Sequence, residues 1–223
     1  MIRHIPNLLT AGRFLMAIAF FVVLGCYDVQ GPEPDWPVLD VAFVIFLVAA
    51  STDMVDGYLA RKLQHMTTFG RIADPFVDKM IVCGALAYLI GAQFVAITGS
   101  DGPIRYDMGT VVSGPILWTE NVTGWRPWMA AVILARELLV TGMRSFSEVH
   151  KIPFAATLSG KVKMFVQCFA IGWSLFYVAH WRGGPEWTRI VRDVLIWAAT
   201  LITGLSGLFY VQRAYKLLRL PPD

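Results

Sequence analysis

The stretch STDMVDGYLARKLQHMTTFGRIADPFVDKM, residues 51–80, decides how the rest of the chain is interpreted. It carries four aspartates, at positions 53, 56, 74 and 78, although the segments on both sides are strongly apolar. The first two are spaced i, i+3 and the last two i, i+4, and either spacing brings two side chains to one face of a helix. The pattern therefore predicts two helical segments that each present a pair of carboxylates.

The composition predicts an integral membrane protein. Of the 223 residues, 56% are hydrophobic and 16% are charged, which is more apolar than an ordinary soluble domain. A transmembrane helix needs roughly 20 mostly apolar residues. The segments that meet this requirement are 8–27, 38–60, 77–98, 127–143, 162–181 and 190–212. We therefore expect an all-α integral membrane protein with six transmembrane helices, forming a single membrane-embedded domain over residues 1–223.

The distribution of basic residues predicts the orientation. If both termini share one side, that side holds 14 of the 19 Lys and Arg residues and the other side holds five. Cytosolic loops carry the excess of basic residues, so we expect both termini in the cytosol. The segment 99–126, rich in Gly, Pro and Asp, is then an extracytoplasmic loop with room for a short strand. The basic residues are spread around helix ends, so no nucleic-acid surface is predicted.

The first apolar segment has one alternative interpretation. Basic residues precede it, as they precede the apolar part of a secretory signal peptide. However, Asn7, Thr10 and Arg13 interrupt its early part at helical spacing, which a secretion signal does not need. We therefore expect a retained helix. The three cysteines occur singly in apolar segments, which predicts neither disulfides nor a zinc site.

Both aspartate pairs are expected at the cytosolic end of the helices. With a rise of about 1.5 Å per residue, Asp53 lies roughly 22 Å into its span. The two carboxylates of that span share a face with Gly57 and Ala60, within an arc of about 100°. Asp74 and Asp78 stand at the start of the third span. Because a short loop joins the two spans, the four carboxylates are expected to lie together.

The joint pattern predicts a divalent-metal site. Four neighbouring carboxylates repel one another unless a cation lies among them, and oxygen ligands suit Mg²⁺ or Mn²⁺. Four carboxylates are a suitable number for two ions. A single intramembrane aspartate is more often an ion-pair partner or part of an ion path. Here the small residues Gly57, Ala60 and Gly70 leave room for a bulky ligand beside the metal, which a structural ion pair would not require.

The full spacing of the stretch resembles a known family signature. It reads Asp53-x2-Asp56-Gly57-x2-Ala60-Arg61-x8-Gly70-x3-Asp74-x3-Asp78. This pattern resembles the signature of the CDP-alcohol phosphotransferase family at every specified position. The resemblance implies a six-helix membrane enzyme that depends on a divalent metal. In such an enzyme a CDP-linked donor and an alcohol acceptor meet above the metals, and CMP is released.

The resemblance also implies a role for each residue of the signature. Asp53, Asp56 and Asp74 would be metal ligands. Asp78 would be a metal ligand and also the catalytic base that deprotonates the acceptor hydroxyl. From spacing alone Asp74 is nearly as good a choice for the base. The residues that would line the cytidine and diphosphate site are Gly57, Ala60, Arg61 and Gly70.

Basic residues at the cytosolic ends of the fourth and fifth spans predict an acceptor with an anionic group. Arg136 and Arg144 stand two turns apart and share a face if the helix continues, and guanidinium groups bind phosphate in bidentate fashion. Together with Lys161 they are expected to bind the phosphate of the acceptor. Lys151 and Lys163 are expected to anchor helix ends to lipid headgroups instead.

Looser motifs resemble one branch of the family. They are IPNLLTAGR at 5–13, ARELLVTGMR at 135–144 and SGKVKMFVQ at 159–167. That branch transfers the phosphatidyl group of CDP-diacylglycerol to glycerol 3-phosphate, so the resemblance implies these two substrates. It also implies that Asn7, Thr10 and Arg13 approach the diphosphate of the donor. We expect a bacterial inner (cytoplasmic) membrane protein with its active site facing the cytosol.

Other functions remain open from the sequence. Within the family the acceptor could be inositol phosphate, serine or phosphatidylglycerol, although an uncharged acceptor would leave Arg136 and Arg144 without a partner. Outside the family, a cation transporter also uses intramembrane acids, but its site is expected near the bilayer midplane. Gly204 and Gly207 in the last span would permit helix packing between two chains of a homodimer.

Overall fold

A computed structural model describes residues 5–27, 36–63, 68–99, 102–103, 118–149 and 158–218. Within these ranges the side chains of residues 53–76 and of Asp78 lie outside the description, as do several near the ends of other helices. The four aspartates are therefore located by their helical backbone alone.

Six α-helices make up most of the described residues, in the order that the sequence predicts. They are α1 (Ile5–Gly25), α2 (Trp36–Leu63), α3 (Thr68–Leu89), α4 (Pro127–Val149), α5 (Leu158–Phe176) and α6 (Glu186–Leu218). A π-helical turn, Tyr177–Trp181, continues α5. Each predicted apolar segment coincides with one helix over most of its length.

The third segment differs from the prediction at both ends. Helix α3 begins at Thr68 and ends at Leu89, whereas the prediction ran from 77 to 98. The Leu89 carbonyl accepts hydrogen bonds from Asn121 Nδ2 and from Thr123 Oγ1, at 2.9 Å each. Such bonds satisfy a carbonyl that has no partner inside the helix. The chain then turns through a short 3₁₀ segment, Ala92–Phe94, and becomes a strand.

The expected extracytoplasmic loop contains a small antiparallel sheet, which is an addition to the all-α prediction. Its strands in the described part of the chain are β1 (Val95–Gly99), β2 (Gly102–Pro103) and β3 (Trp118–Asn121), in the order β2-β1-β3. In the register of β1 with β3, Val95 pairs with Asn121 and Thr98 with Trp118. Because Asn121 at the end of β3 bonds to the last carbonyl of α3, the sheet adjoins that end of the helix.

The helices pack through large side chains that face small ones. Helix α1 packs against α2 and α3, while α5 packs against α2 and α6, and α4 against α6. Alanines allow this close approach, with Ala42 and Ala85 fully buried. The largest buried side chains include Phe20, Leu24, Phe46, Leu86, Trp125, Ile171 and Leu175.

The outer surface of the bundle is also apolar. Exposed large hydrophobic residues include Leu15 and Val22 of α1, Val44 and Leu47 of α2, Phe165 and Phe169 of α5, and Leu201, Leu205 and Leu208 of α6. Soluble monomers rarely expose apolar surface on this scale. Among the described residues, two helical segments are long and apolar enough to cross a membrane by length and composition, Val162–Trp181 and Glu186–Gln212. Shorter apolar helical segments are Ala11–Gly25, Trp36–Thr52 and Lys79–Leu89.

Gly204 and Gly207 face α4 of the same chain. A Cβ atom added at Gly207 would lie 3.0 Å from Cγ of Arg136, and one at Gly204 would lie 3.6 Å from a methyl of Val132. These glycines therefore allow close packing of α6 against α4 within one chain, and a homodimer stays a prediction.

Arg192 of α6 connects the segment after β3 to the helices. Its Nη1 donates to the Val122 carbonyl at 2.9 Å, and Nη2 lies 2.7 Å from a carboxylate oxygen of Asp193. The guanidinium carbon sits 4.7 Å from the ring centre of Tyr177, within range of a cation–π interaction. The neighbouring Gly124 has φ of 80°, in the left-handed region that favours glycine. A single buried arginine thus connects the segment after β3 with α6 and the π-helical turn.

We expect Gly124→Ala to destabilise the protein more than Gly183→Ala. Both glycines have positive φ, 80° and 83°, so either alanine costs about 1–2 kcal/mol in backbone strain. A Cβ at Gly124 would also lie 2.7 Å from Arg192 Nε, whereas nothing lies within 4 Å of a Cβ at Gly183. Thermal unfolding in detergent measures the difference, at about 2–4 °C per kcal/mol. Equal shifts for the two variants would contradict the packing of Arg192 described above.

Candidate active site

The helical backbone places the two pairs of aspartates at similar distances from the joined ends of α2 and α3. Asp53 and Asp56 lie ten and seven residues before the end of α2, and Asp74 and Asp78 lie six and ten residues after the start of α3. At about 1.5 Å per residue, Asp53 and Asp78 are each about 15 Å from the helix ends that residues 64–67 join. Asp56 and Asp74 are about 10 Å and 9 Å from them. Asp74 and Asp78 were expected at the start of the third span, but they lie about two and three turns inside α3, which begins at Thr68. The convergence of the four side chains stays a prediction.

A cavity adjoins the segments that carry the aspartates. It is lined by Arg13 of α1, Ala49 and Ala50 of α2, Val77, Ile81 and Val82 of α3, and Met164 and Cys168 of α5. Ala49 lies one helical turn before Asp53 in the sequence, and Val77 and Ile81 lie on either side of Asp78. Four helices therefore meet beside the predicted metal site.

Arg13 lines this cavity as a buried cation. Its residue is 8% exposed, and a buried charge is tolerated only where opposite charge or hydrogen-bond partners compensate it. An arginine in such a position can bind an anionic group of a ligand, which is the role that the sequence predicted. Thr10 and Asn7 lie in the same helix, about one and two turns earlier, but their side chains are outside the description.

The other residues predicted to bind the CDP-linked donor are located by their helical backbone only. Gly57, Ala60 and Arg61 belong to the last two turns of α2, and Gly70 belongs to the first turn of α3. They therefore lie between the aspartate pairs and the ends of the two helices. Their contacts fall outside the described side chains, and their roles stay predictions.

Arg136 is fixed in place by helix α6. Its Nε donates to Ser206 Oγ at 3.0 Å, and its guanidinium carbon lies 5.3 Å from the ring centre of Tyr210. Both contacts hold the planar guanidinium group in one orientation, as bidentate binding of a phosphate requires. Arg144 and Lys161, the other residues predicted to bind the acceptor, have side chains outside the description. Phosphate binding by the three residues stays a prediction.

Glu137 and Lys163 form an ion pair that the sequence did not predict. Lys163 Nζ donates to Glu137 Oε1, and Arg136 Nη1 lies 3.5 Å from the same oxygen. Glu137 and Lys163 are each only 5% exposed. The expectation that Lys163 anchors a helix end to headgroups is therefore wrong, because its ammonium points into the bundle. Lys151 lies outside the described residues.

A polar stripe on α5 was the available signal for Lys163. Lys163, Gln167 and Ser174 recur at i, i+4 and i+11 in an otherwise apolar helix, and this spacing keeps them on one face. In the structure Gln167 Nε2 donates to Thr203 Oγ1 at 2.9 Å, and Trp125 Nε1 donates to Ser174 Oγ at 3.0 Å. The stripe therefore faces polar partners inside the protein.

The ion pair and the cavity lie at the same level of the bundle. Lys163 precedes the cavity residue Met164 in α5, and Cys83 of α3 is within electrostatic range of both Glu137 and Lys163. Lys79 is also within electrostatic range of Lys163. Two buried cations, Arg136 and Lys163, thus lie against the one carboxylate of Glu137. Among the described side chains, no group of three or more His, Cys, Asp or Glu residues is placed to hold a metal ion.

The chain can be assigned to a family by comparison with known proteins. A family model described as CDP-alcohol phosphatidyltransferase matches residues 3–205. The chain therefore belongs to the CDP-alcohol phosphatidyltransferase family, which is a family of enzymes. This confirms the assignment that the spacing of the four aspartates suggested.

Three bacterial relatives match over nearly the whole chain, and each is named CDP-diacylglycerol–glycerol-3-phosphate 3-phosphatidyltransferase. The relative from Bacillus subtilis is 28% identical and covers 97% of both chains. The relative from Rickettsia felis is 28% identical over 96% of this chain and 97% of its own. The relative from Shigella flexneri is 31% identical over 95% of this chain and 94% of its own.

Proposed function

We propose that the protein transfers the phosphatidyl group of CDP-diacylglycerol to glycerol 3-phosphate, releasing CMP and forming phosphatidylglycerophosphate for phospholipid biosynthesis. The observation that carries the proposal is the similarity to relatives of this name over more than nine tenths of the chain. The similarity extends beyond the aspartate signature to α4 and α5, where Arg136 and Lys163 supply buried positive charge for a phosphorylated acceptor.

The donor is expected to bind between α1, α2 and α3. Asn7, Thr10 and Arg13 would approach its diphosphate, and buried Arg13 in the cavity supports this assignment. The cytidine would contact the residues of the signature between the aspartate pairs, which are Gly57, Ala60, Arg61 and Gly70. The acyl chains would then extend along the apolar outer surface of the bundle.

The aspartates are expected to hold Mg²⁺ or Mn²⁺, as two ions. The chain fits this role because α2 and α3 carry two carboxylates each at matching distances from their joined ends, and carboxylate oxygens are the preferred ligands of these ions. Asp53, Asp56, Asp74 and Asp78 would be the ligands. When bound, the ions would neutralise the negative charge that develops on the diphosphate during transfer. Asp78 would also accept the proton of the attacking glycerol 3-phosphate hydroxyl.

The acceptor is expected to bind on the α4 and α5 side. Arg136, Arg144 and Lys161 would bind its phosphate, and the fixed orientation of Arg136 supports this assignment. A serine acceptor carries no phosphate to pair with this positive charge.

The protein is expected to span a bacterial inner membrane six times, with both termini and the active site in the cytosol. The apolar outer surface supports a bilayer environment. Exposed tryptophans at the first turns of α2, α4 and α6, namely Trp36, Trp128 and Trp187, support the topology. In a six-span arrangement these three helices begin on one side, and tryptophan is enriched at the membrane–water interface.

We expect purified protein in detergent and lipid micelles to release CMP from CDP-diacylglycerol only when glycerol 3-phosphate and Mg²⁺ or Mn²⁺ are both present. Chelation by EDTA should stop the reaction, and added Mg²⁺ should restore it. A panel of glycerol 3-phosphate, inositol phosphate, serine and phosphatidylglycerol, each with one donor, measures acceptor choice. Equal or faster CMP release with another acceptor would contradict the proposed acceptor, and full activity in EDTA would contradict the metal site.

We expect Asp78→Asn to lower kcat by about 100-fold or more while CDP-diacylglycerol still binds, because loss of a general base typically removes a factor of this size. Asp40→Asn is the matched control. Asp40 is a half-exposed aspartate near the start of α2, with His180 Nε2 at 3.6 Å, so its variant should keep the wild-type rate. Turnover and equilibrium binding of a labelled donor are measured for both. A near-normal rate for Asp78→Asn would exclude Asp78 as the base.

A further inference from the structure

Glu137 is a buried carboxylate that two cations share. Its Oε1 accepts a hydrogen bond from Lys163 Nζ and lies 3.5 Å from Arg136 Nη1. The three residues come from α4 and α5, next to a cavity that also involves α1, α2 and α3. The function proposed above uses Arg136 but gives Glu137 no role.

The two cations differ in how firmly they are held. Arg136 is oriented by Ser206 and by the ring of Tyr210. The Lys163 ammonium is held by Glu137, and a lysine side chain is long and flexible. Glu137 therefore determines where the ammonium lies, and it brings the ammonium next to the guanidinium that α6 fixes.

The contacts of the pair leave donors for a ligand. A lysine ammonium has three N–H donors and an arginine guanidinium has five. The contacts described above use one donor of Lys163 and two of Arg136. Two like charges this close in a buried site repel each other unless anions compensate them, and Glu137 supplies one negative charge. A phosphate that binds both cations would supply the rest.

We propose that Glu137 is a positioning residue for the acceptor: it holds the Lys163 ammonium beside the Arg136 guanidinium so that both donate to the phosphate of glycerol 3-phosphate. This inference rests on the proposed function. Glu137 touches neither the donor nor the reacting hydroxyl in this account, so its loss should weaken acceptor binding and leave donor binding unchanged. A purely structural ion pair would instead affect folding and leave both Michaelis constants alone.

The test is a set of variants assayed for KM of each substrate, kcat and thermal unfolding. Glu137→Gln keeps the size of the side chain and removes its charge, and we expect it to raise the KM for glycerol 3-phosphate at least tenfold. The KM for CDP-diacylglycerol should stay within twofold of wild type. Glu137→Asp keeps the charge and should recover part of the loss. Gln167→Met is the matched control, because it breaks a buried contact between α5 and α6 one turn away and should change neither KM.

A double-mutant cycle shows whether Glu137 acts through Lys163. Lys163→Met should raise the KM for glycerol 3-phosphate, and adding Glu137→Gln to it should raise that KM no further, because the residue that Glu137 holds is already absent. The double variant also removes both charges of the pair, so it is expected to fold even where Glu137→Gln alone does not. In that case the comparison of the double variant with Lys163→Met carries the test.

The possible outcomes distinguish failure of the positioning role of Glu137 from failure of the proposed function. If wild-type protein does not use glycerol 3-phosphate, the proposed function fails. If wild type uses it and Glu137→Gln lowers stability without changing its KM, the positioning role is excluded and the function stands. The same conclusion follows if Glu137→Gln raises both Michaelis constants equally, or if the effects of Glu137→Gln and Lys163→Met multiply.

Discussion

The burial of charge inside an apolar helical bundle is the constraint on which this structure depends. A charged side chain in such an interior must be paired or must lie near a polar end. Lys163 meets the requirement through Glu137, and Glu137 also lies beside Arg136. Arg136 in turn reaches Ser206, so the interaction connects α4, α5 and α6. The charges that we propose to bind the acceptor phosphate are therefore also part of what connects these helices.

The two ends of the bundle serve different purposes. At one end, Asn121 of β3 bonds to the last carbonyl of α3, and Arg192 joins the segment after β3 to α6 through the Val122 carbonyl and the Tyr177 ring. These contacts pair the Arg192 guanidinium with groups inside the protein. At the other end, Arg13 lines a cavity near the two aspartate pairs, and Lys163 immediately precedes the cavity residue Met164. One end is closed by hydrogen bonds and aromatic packing, while the other end carries charge suited to a bound anionic substrate.

The sequence predicted the parts of the fold that depend on local pattern. Apolar runs located the six helices, and the fixed spacing of Asp53, Asp56, Asp74 and Asp78 identified the family, because spacing within a helix is a property of the sequence itself. The predicted end of α3 was wrong because residues 90–98 are apolar enough to continue a transmembrane helix. Periodicity alone does not separate a short apolar strand from a helix. Only the distant partners Asn121 and Thr123 show where the helix stops.

The errors in the site have a similar cause. Lys163 was interpreted one residue at a time as a headgroup anchor, and its partner Glu137 is 26 residues away on another helix. The packing of Gly204 and Gly207 against α4, with Arg136 in the space beside Gly207, was likewise not predicted. Contacts between helices that are far apart in sequence leave little trace in a single chain. The polar stripe through Lys163, Gln167 and Ser174 was the one trace available.

The proposed activity depends most on the convergence of the carboxylates of α2 and α3 around divalent ions. An anomalous-difference map from crystals of the protein grown with Mn²⁺ tests this convergence directly. We expect strong peaks between the two helices, within about 2.0–2.6 Å of oxygens from Asp53, Asp56, Asp74 and Asp78. Carboxylates that point to different sides of the helices, with no anomalous peak among them at saturating Mn²⁺, would contradict it.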